Sequence, residues 1–410
     1  MQFDGILWPP LRGIQDGEYK LDRTRMALEV LGNPHNSLKN IIHIAGTNGK
    51  GSTTAFLQSV LNANGFSVNV YTSPHLVKVN ERIKIHSQNI SDASLLQHTK
   101  DVYRTLKNAN LENSLTYFEA MTVIAFHSFA KNQADFNIIE VGLGGRFDAT
   151  NVIANPLLSI ITSISLDHTE YLGTNLESIA VEKCEIIKQN SNAVMGFQKF
   201  ENIYKIFEAK CQKMNVQYQV CREIKQFNSN LASTFQSQNA TTVLRALEII
   251  SQKINFHFDE EKSIEAISQT KWNGRMETVF LKEIGRDILV DCAHNFDGIS
   301  KFIEFIAEQN GRKVLIFGML SRKIRQDIFL FLRESLEKKL LDAIITVNFG
   351  EDGECFPSNE LSDAISHKHC FAIENFAQAL NFTKNFDTIF LCGSIHLVGD
   401  FFKTYNLYDS

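Results

Sequence analysis

At 410 residues the chain is longer than one hydrophobic core usually supports, which predicts two domains. A hydrophobic fraction of 44%, a charged fraction of 21% and a net charge of -5 leave no electrostatic footprint for nucleic acid and point to small substrates. Seven cysteines without a C-x-x-C pair suit core thiols in a reducing compartment, and MQFDGILWPP has no basic segment leading into an apolar run. With no apolar segment approaching about 18 uninterrupted residues, the expectation is a cytoplasmic protein away from membranes.

LDRTRMALEVLGNPH, from Leu21, predicts a helix with Met26, Leu28, Val30 and Leu31 on its apolar side and Gly32, Asn33 and Pro34 as its stop. IIHIA (41–45) predicts a short buried strand. GTNGKGS follows, then a helix from about Ser52 to Ala63 that Gly65 ends. A glycine-rich turn between strand and helix can hold phosphate on its N–H groups. Its spacing departs from G-x-x-x-x-G-K-[ST]: Ile44 stands where the first glycine belongs, and Gly51 separates Lys50 from Ser52.

The same strand, polar turn and helix rhythm recurs. FSVNVYTSP predicts a strand ending at Ser73, DFNIIEVGLGG one ending at Glu140, and PLLSIITSISLDH one ending near His168. Ligands of open α/β sheets bind outside the carboxyl ends of the strands. The ends before Gly46, Ser73, Gly142 and His168 are therefore expected to share one crevice. After about residue 190 the signal thins, and 195–270 is polar and partly helical, with 237–254 the clearest helix. Strand rhythm restarts in RDILVDCAHN, RKVLIFGML, DAIITVNF and DTIFLCGS. The expected architecture is α/β: a P-loop-like domain with a mostly parallel sheet over 1–270, and a smaller Rossmann-like α/β domain over 271–410, joined near KWNGRME.

Glycine, lysine and hydroxyl together in 46–52 favour phosphate binding over a purely structural turn. Glu140, closing an apolar strand, suits either a metal ligand or a turn cap. Ser73 and His168 carry less signal, since magnesium prefers oxygen. Lys183, between Glu182 and Glu185, reads by pattern as a helix-surface lysine. Arg275 and the run Asp291, Ala293, His294, Asn295 fit either a nucleotide-facing edge or a solvated arginine beside a polar turn.

GTNGKGS, SPHLVKVNERI (73–83), EVGLGGRFDATN (140–151), LDHTEYLG (166–173) and IAVEKCEIIK (179–188), closed by GSIHLVG (393–399), resemble the folylpolyglutamate synthase and dihydrofolate synthase family, a branch of the Mur-type ligases. The resemblance runs in order from about Leu21 to Gly399, and the unusual loop spacing is normal in that family. It implies that Thr47, Asn48, Gly49, Lys50, Gly51 and Ser52 hold the ATP phosphates, with Asn239, Arg275 and Asp291 as further ATP contacts. Ser73, Glu140 and His168 match magnesium ligands, with two metal sites expected, and Lys183 matches a lysine carbamylated to help bind metal. His294 matches a histidine that orients or accepts a proton near the reacting carboxyl. Leu21, Arg23, Tyr117, Phe118, Phe147 and Asp148 are implied to line the pterin pocket. Asn273 and Phe296 replace usual prolines, and Arg322 and Ile324 stand where acids are common.

The implied reaction is ATP-dependent joining of L-glutamate to 7,8-dihydropteroate and to reduced folates through an acyl phosphate, in a monomer whose domains close over the intermediate. Alternatives are a folylpolyglutamate synthase only, a small-molecule kinase, and a nucleotide-switch module. The last is disfavoured by the lack of an N-K-x-D guanine signature.

Overall fold

A computed structural model of the protein describes residues 2–3, 6–9, 20–225, 233–321, 325–350 and 354–408; Arg322 and Ile324 lie outside the described residues. The chain divides into two compact units, Met1–Thr270 and Lys271–Ser410.

The first unit runs β1 (Gln2–Phe3), β2 (Ile6–Leu7), α1 (Asp22–Val30), β3 (Ile41–Ala45), α2 (Lys50–Ala63), β4 (Val68–Tyr71), β5 (Ile83–Ile85) and β6 (Gln88–Asn89). It continues through α3 (Asp92–Asn108), α4 (Tyr117–Lys131), β7 (Phe136–Glu140), β8 (Leu158–Ile161), α5 (Thr169–Leu172), α6 (Leu176–Cys184) and β9 (Asn192–Met195). Helix α7 (Glu201–Met214), β10 (Gln217–Val220), α8 (Thr234–Ile254) and α9 (Glu260–Ser268) complete it. An eight-stranded sheet has the order β10-β9-β8-β3-β7-β4-β5-β6. Within this sheet only the β4–β5 and β5–β6 pairings are antiparallel.

Alternation along the strands decides what covers each face. Ile42, Ile44, Val68, Val70 and Ile138 pack with Phe56, Leu57 and Val60 of α2 and Val243 and Ile250 of α8. On the other face Ile41, Tyr71 and Ile139 pack with Leu28 of α1, Val102 of α3 and Phe126 of α4. The strands are apolar on both faces because helices lie on both. Helix α4 starts in a capping box: Thr116 Oγ1 accepts from the Glu119 amide, and Glu119 accepts from the Thr116 amide.

The second unit contains β11 (Glu277–Leu281), β12 (Arg286–Val290), α10 (Phe296–Ala307), β13 (Lys313–Phe317), α11 (Gln326–Glu337) and β14 (Ala343–Val347). Then come α12 (Ser358–Ile365), β15 (Cys370–Ile373), α13 (Phe376–Phe382), β16 (Thr388–Cys392) and α14 (Ile395–Thr404). Its six-stranded sheet has the order β11-β12-β16-β13-β14-β15, antiparallel only at the β11 edge.

One predicted strand is corrected in length. Strand β8 stops at Ile161, well before His168: the Thr162 amide makes a last bond to Ala45 O at 2.8 Å, and from Ser163 the backbone meets the loop after β3, where the Thr47 amide donates to Ser163 O at 2.8 Å. Strands β9 and β10 and helix α7 lie partly where the sequence signal thins. Strand β10 is short and only partly covered, so it carries little hydrophobic pattern.

A candidate nucleotide and metal site at the strand ends

Strands β8, β3, β7 and β4 are neighbours in that order and mutually parallel, so their carboxyl ends lie side by side. The loop after β3 is sewn to the one after β8. Thr47 Oγ1 donates to Ser165 O at 3.1 Å, Asn48 Nδ2 to Ser165 Oγ at 3.3 Å, and Thr162 Oγ1 to Asn48 O at 2.8 Å. Gly46 is obligatory here: a Cβ would stand 1.7 Å from Thr162 Oγ1. Gly49 caps α2 with φ +89°, and its missing Cβ leaves room for Asn239 Oδ1 of α8. With no side-chain cap on α2, its first-turn N–H groups can receive an anion.

Two ammonium groups meet on one carbonyl of this loop. Lys50 Nζ donates to Gly46 O at 3.1 Å and to Thr47 O at 3.3 Å, while Lys183 Nζ donates to Gly46 O at 2.9 Å. Lys183 is buried, 4% exposed, so the surface position read from its charged neighbours is corrected. The cover comes from the loop after β7. The Arg146 amide donates to Glu182 O at 3.0 Å, and a Cβ on Gly145 would lie 2.4 Å from that oxygen, so only glycine lets the loop lie on α6. Burial first, and the Lys50 charge second, pull Lys183 down to about 7.

Of the expected metal ligands, Ser73 and Glu140 follow or end neighbouring strands of this row, and His168 lies beyond it. Ser73, half-buried, lies just beyond β4; Glu140, 5% exposed, is the last residue of β7 and sits in register with Ile44 of β3. His168, with φ +50°, opens α5 some way past β8, its Nε2 3.8 Å from Asp167 Oδ2 and its Nδ1 3.8 Å from Glu170 Oε1. The hydroxyl and carboxylate oxygens of this set fit magnesium.

Beside it, Phe118 packs against Gly142, where a Cβ would be 2.4 Å from the ring, and against Tyr71. The Tyr117 ring lies under the Arg82 guanidinium, 5.4 Å from its centroid. Arg23 Nη2 donates to Glu119 Oε1 at 3.0 Å, and Leu21, just before α1, is buried. Phe147 is 40% exposed, whereas Asp148 is buried and accepts from the Gly142, Leu143 and Thr150 amides and from Thr150 Oγ1. Asp148 therefore shapes this wall by holding its loop. Sequence reading missed Arg82, Glu119 and Gln236. Gln236 Nε2 donates to Ser52 Oγ at 3.3 Å, and its position one helical turn before Asn239 was the available signal.

In the second unit, Asp291 follows β12 and accepts from the Met276 amide at 3.0 Å and the Ala293 amide at 2.8 Å. Burial raises its pKa, and the nearby Arg275 charge opposes the rise. His294 Nδ1 lies 3.0 Å from Cys292 O, which makes Nδ1 the protonated nitrogen of the neutral ring. Asn295 caps α10 by accepting from the Gly298 amide.

A glycine-rich loop between strand and helix over a mostly parallel sheet, followed by a second α/β unit, is the architecture of the Mur-type ligases, and the family models match it. Residues 44–259 match the Mur ligase middle domain, and residues 274–395 match the Mur ligase, glutamate ligase domain. Dihydrofolate synthase/folylpolyglutamate synthase of Bacillus subtilis is 33% identical over 375 residues, covering 81% of this chain and 85% of that protein. Its Escherichia coli counterpart is 31% identical over 379 residues, covering 87% and 85%. The structure of E. coli FolC in complex with DHPP and ADP superposes with a TM-score of 0.80 at 25% identity, covering 95% of this chain and 93% of that one. The chain belongs to the dihydrofolate synthase/folylpolyglutamate synthase family of Mur ligases. Among the described residues no helix is long and apolar enough to cross a membrane.

Proposed function

We propose that this protein is an ATP-dependent ligase that joins L-glutamate to 7,8-dihydropteroate and, in the same site, to reduced folates. The observation that carries the reading is the convergence of Lys50 and Lys183 on Gly46 O at the ends of parallel strands, in a chain of this family. A carboxylate cannot acylate an amine at neutral pH because its oxygen leaves too poorly. Its oxygen instead attacks the γ-phosphorus of ATP, breaking the bond to ADP and forming an acyl phosphate. The glutamate amine then adds to that carbonyl, loses a proton, and the tetrahedral intermediate expels phosphate.

In this reading Thr47 to Ser52 wrap the phosphates, and Lys50 swings from the loop carbonyls to the transferring phosphoryl group, where fixed positive charge stabilises developing negative charge. Ser73, Glu140 and His168 hold magnesium, which when bound neutralises phosphate charge and orients the triphosphate. Lys183, brought near neutrality at physiological pH, is the lysine to carry a carbamate: its neutral amine adds to CO2 and releases a proton, replacing a cation with a ligand for a second magnesium. Asn239, Arg275 and Asp291 complete the ATP contacts, and His294 serves the reacting carboxyl. Leu21, Arg23, Tyr117, Phe118, Phe147 and the Asp148 loop form the pterin wall. A cytoplasmic monomer is the setting proposed.

The deciding measurement is ADP release with purified protein, ATP, magnesium and glutamate. Turnover with both dihydropteroate and tetrahydrofolate supports the two-substrate reading. Turnover with tetrahydrofolate alone leaves a folylpolyglutamate synthase, and ADP release independent of glutamate overturns the ligase.

A further inference from the structure

Away from the strand-end site, two helices on one face of the large sheet place three metal-binding side chains together. His98 and Asp101 lie one turn apart on α3, and His127 faces them from α4. One ligand atom from each lies within 4.8 Å of the others. The Nδ1 atoms of His98 and His127 point at each other at 3.3 Å, with the ring planes inclined at 73°. Two nitrogens each about 2.0–2.1 Å from a tetrahedral zinc ion are separated by about 3.3 Å, so the observed gap is already that of a coordination edge.

The surroundings suit ligation. Both histidines are 9% exposed, and burial lowers the pKa of both, which favours the neutral imidazoles that ligate metal; an ion entering between the two Nδ1 atoms has only the one proton of their hydrogen bond to displace. Gln97 Nε2 donates to Asp101 Oδ1 at 2.9 Å, which orients the carboxylate as an outer-shell partner does. Asp101 is half-buried, so water can reach a fourth position. Lys131 and Asp101 act on the pair with opposite signs, and Asp101 supplies the anionic ligand.

We propose that His98, Asp101 and His127 form a site for a zinc-class divalent cation that ties α3 to α4. Two imidazoles and one carboxylate select zinc or cobalt over magnesium, which prefers oxygen. The bound ion fixes α4, whose first turn carries Tyr117 and Phe118 about 15 Å along the helix from His127. The competing arrangement is a plain hydrogen bond between two neutral imidazoles.

The full-length protein, stripped with chelator and held in excess magnesium, is titrated with Co2+ while the visible d–d absorbance is recorded. One equivalent giving an intense tetrahedral band that Zn2+ displaces is expected. His127→Gln should abolish the band, Asp101→Asn should weaken binding at least about tenfold, and Glu140→Gln should leave it intact. Zn2+ should also raise the Tm of the wild type by about 3 °C or more, and that of Asp101→Asn by less. Absence of a band, or its survival in both His127→Gln and Asp101→Asn, overturns the site; loss of the band in Glu140→Gln with retention in the histidine variant assigns the ion to the strand ends instead. Should His127→Gln fail to fold, Asp101→Asn, at a half-buried position, decides between these results.

Discussion

Lys50 and Lys183 share the carbonyl oxygen of Gly46, at 3.1 and 2.9 Å, although they come from different helices, α2 and α6. Burial of Lys183 first, and the charge of Lys50 on the same acceptor second, bring Lys183 down to about 7.

Among the described residues Lys50 Nζ is held by the backbone carbonyls of Gly46 and Thr47, which ATP can replace. Lys50→Ala should therefore lower kcat about 100-fold to 1000-fold, the loss seen when a transition-state charge partner is removed. Tm should hardly change. A variant turning over at near the wild-type rate would remove Lys50 from the phosphoryl-transfer step.

Lys183 should accept CO2 reversibly at neutral pH, because burial lowers its pKa far below the ordinary lysine value and makes the neutral amine accessible there. With 13C-bicarbonate a carbamate resonance should appear in the wild type and be missing in Lys183→Ala. Lack of any such resonance in active protein would rule the modification out.

The same depression links stability to pH. Between about 7 and the ordinary 10.5, the folded chain has lost a proton that the unfolded chain keeps, so stability rises with pH across that window. Urea denaturation in CO2-free buffer should show a shallower rise for Lys183→Met than for the wild type. Equal slopes would contradict the assignment.

Gly145→Ala would place a methyl 2.4 Å from Glu182 O and 2.9 Å from Lys183 Cα. Backbone on both sides leaves little room to relax, so a loss of about 1–3 kcal/mol is expected, together with weaker carbamate labelling. Unchanged Tm and labelling would show that the loop does not seat Lys183.

Glu119→Ala removes the acceptor of the Thr116 amide and the partner of Arg23 together. A cost of about 1–3 kcal/mol follows from the lost cap and the abandoned donors. KM for the pterin substrate should rise several-fold while KM for ATP stays level, and Glu119→Gln should recover part of the stability. If both KM values moved equally, Glu119 would have no selective link to the Tyr117–Phe118 wall.

How much was legible follows from where the information lies. IIHIA and the helix beginning at GKGS are local: an all-buried strand and a glycine turn announce themselves, and the observed strand is Ile41–Ala45. Strand adjacency was legible only as a rule about carboxyl ends. The burial of Lys183 was not, because Glu182 and Glu185 beside it suggest a solvated face, and the covering loop is recruited by Gly145 from a distant part of the chain. Arg82 and Gln236 have roles set by what folds against them. For β8, hydrophobicity ran on past Ile161, while hydrogen bonding to the Thr47 loop ended the strand.

One more feature sets the character of the Asp148 loop. His43, at the centre of β3, has Nε2 2.8 Å from Thr150 Oγ1, and that hydroxyl donates to Asp148 Oδ1 at 2.5 Å. Since the hydroxyl proton goes to the carboxylate, His43 must donate through Nε2; burial, which drives its pKa to about 3, keeps the ring neutral, and this hydrogen bond selects the Nε2–H tautomer. The relay is one-way and anchored in the innermost strand. Amide hydrogens of Gly142 and Leu143, which end on Asp148, should thus exchange with solvent deuterium as slowly as those of β3 itself, in a segment that by connectivity alone is surface loop.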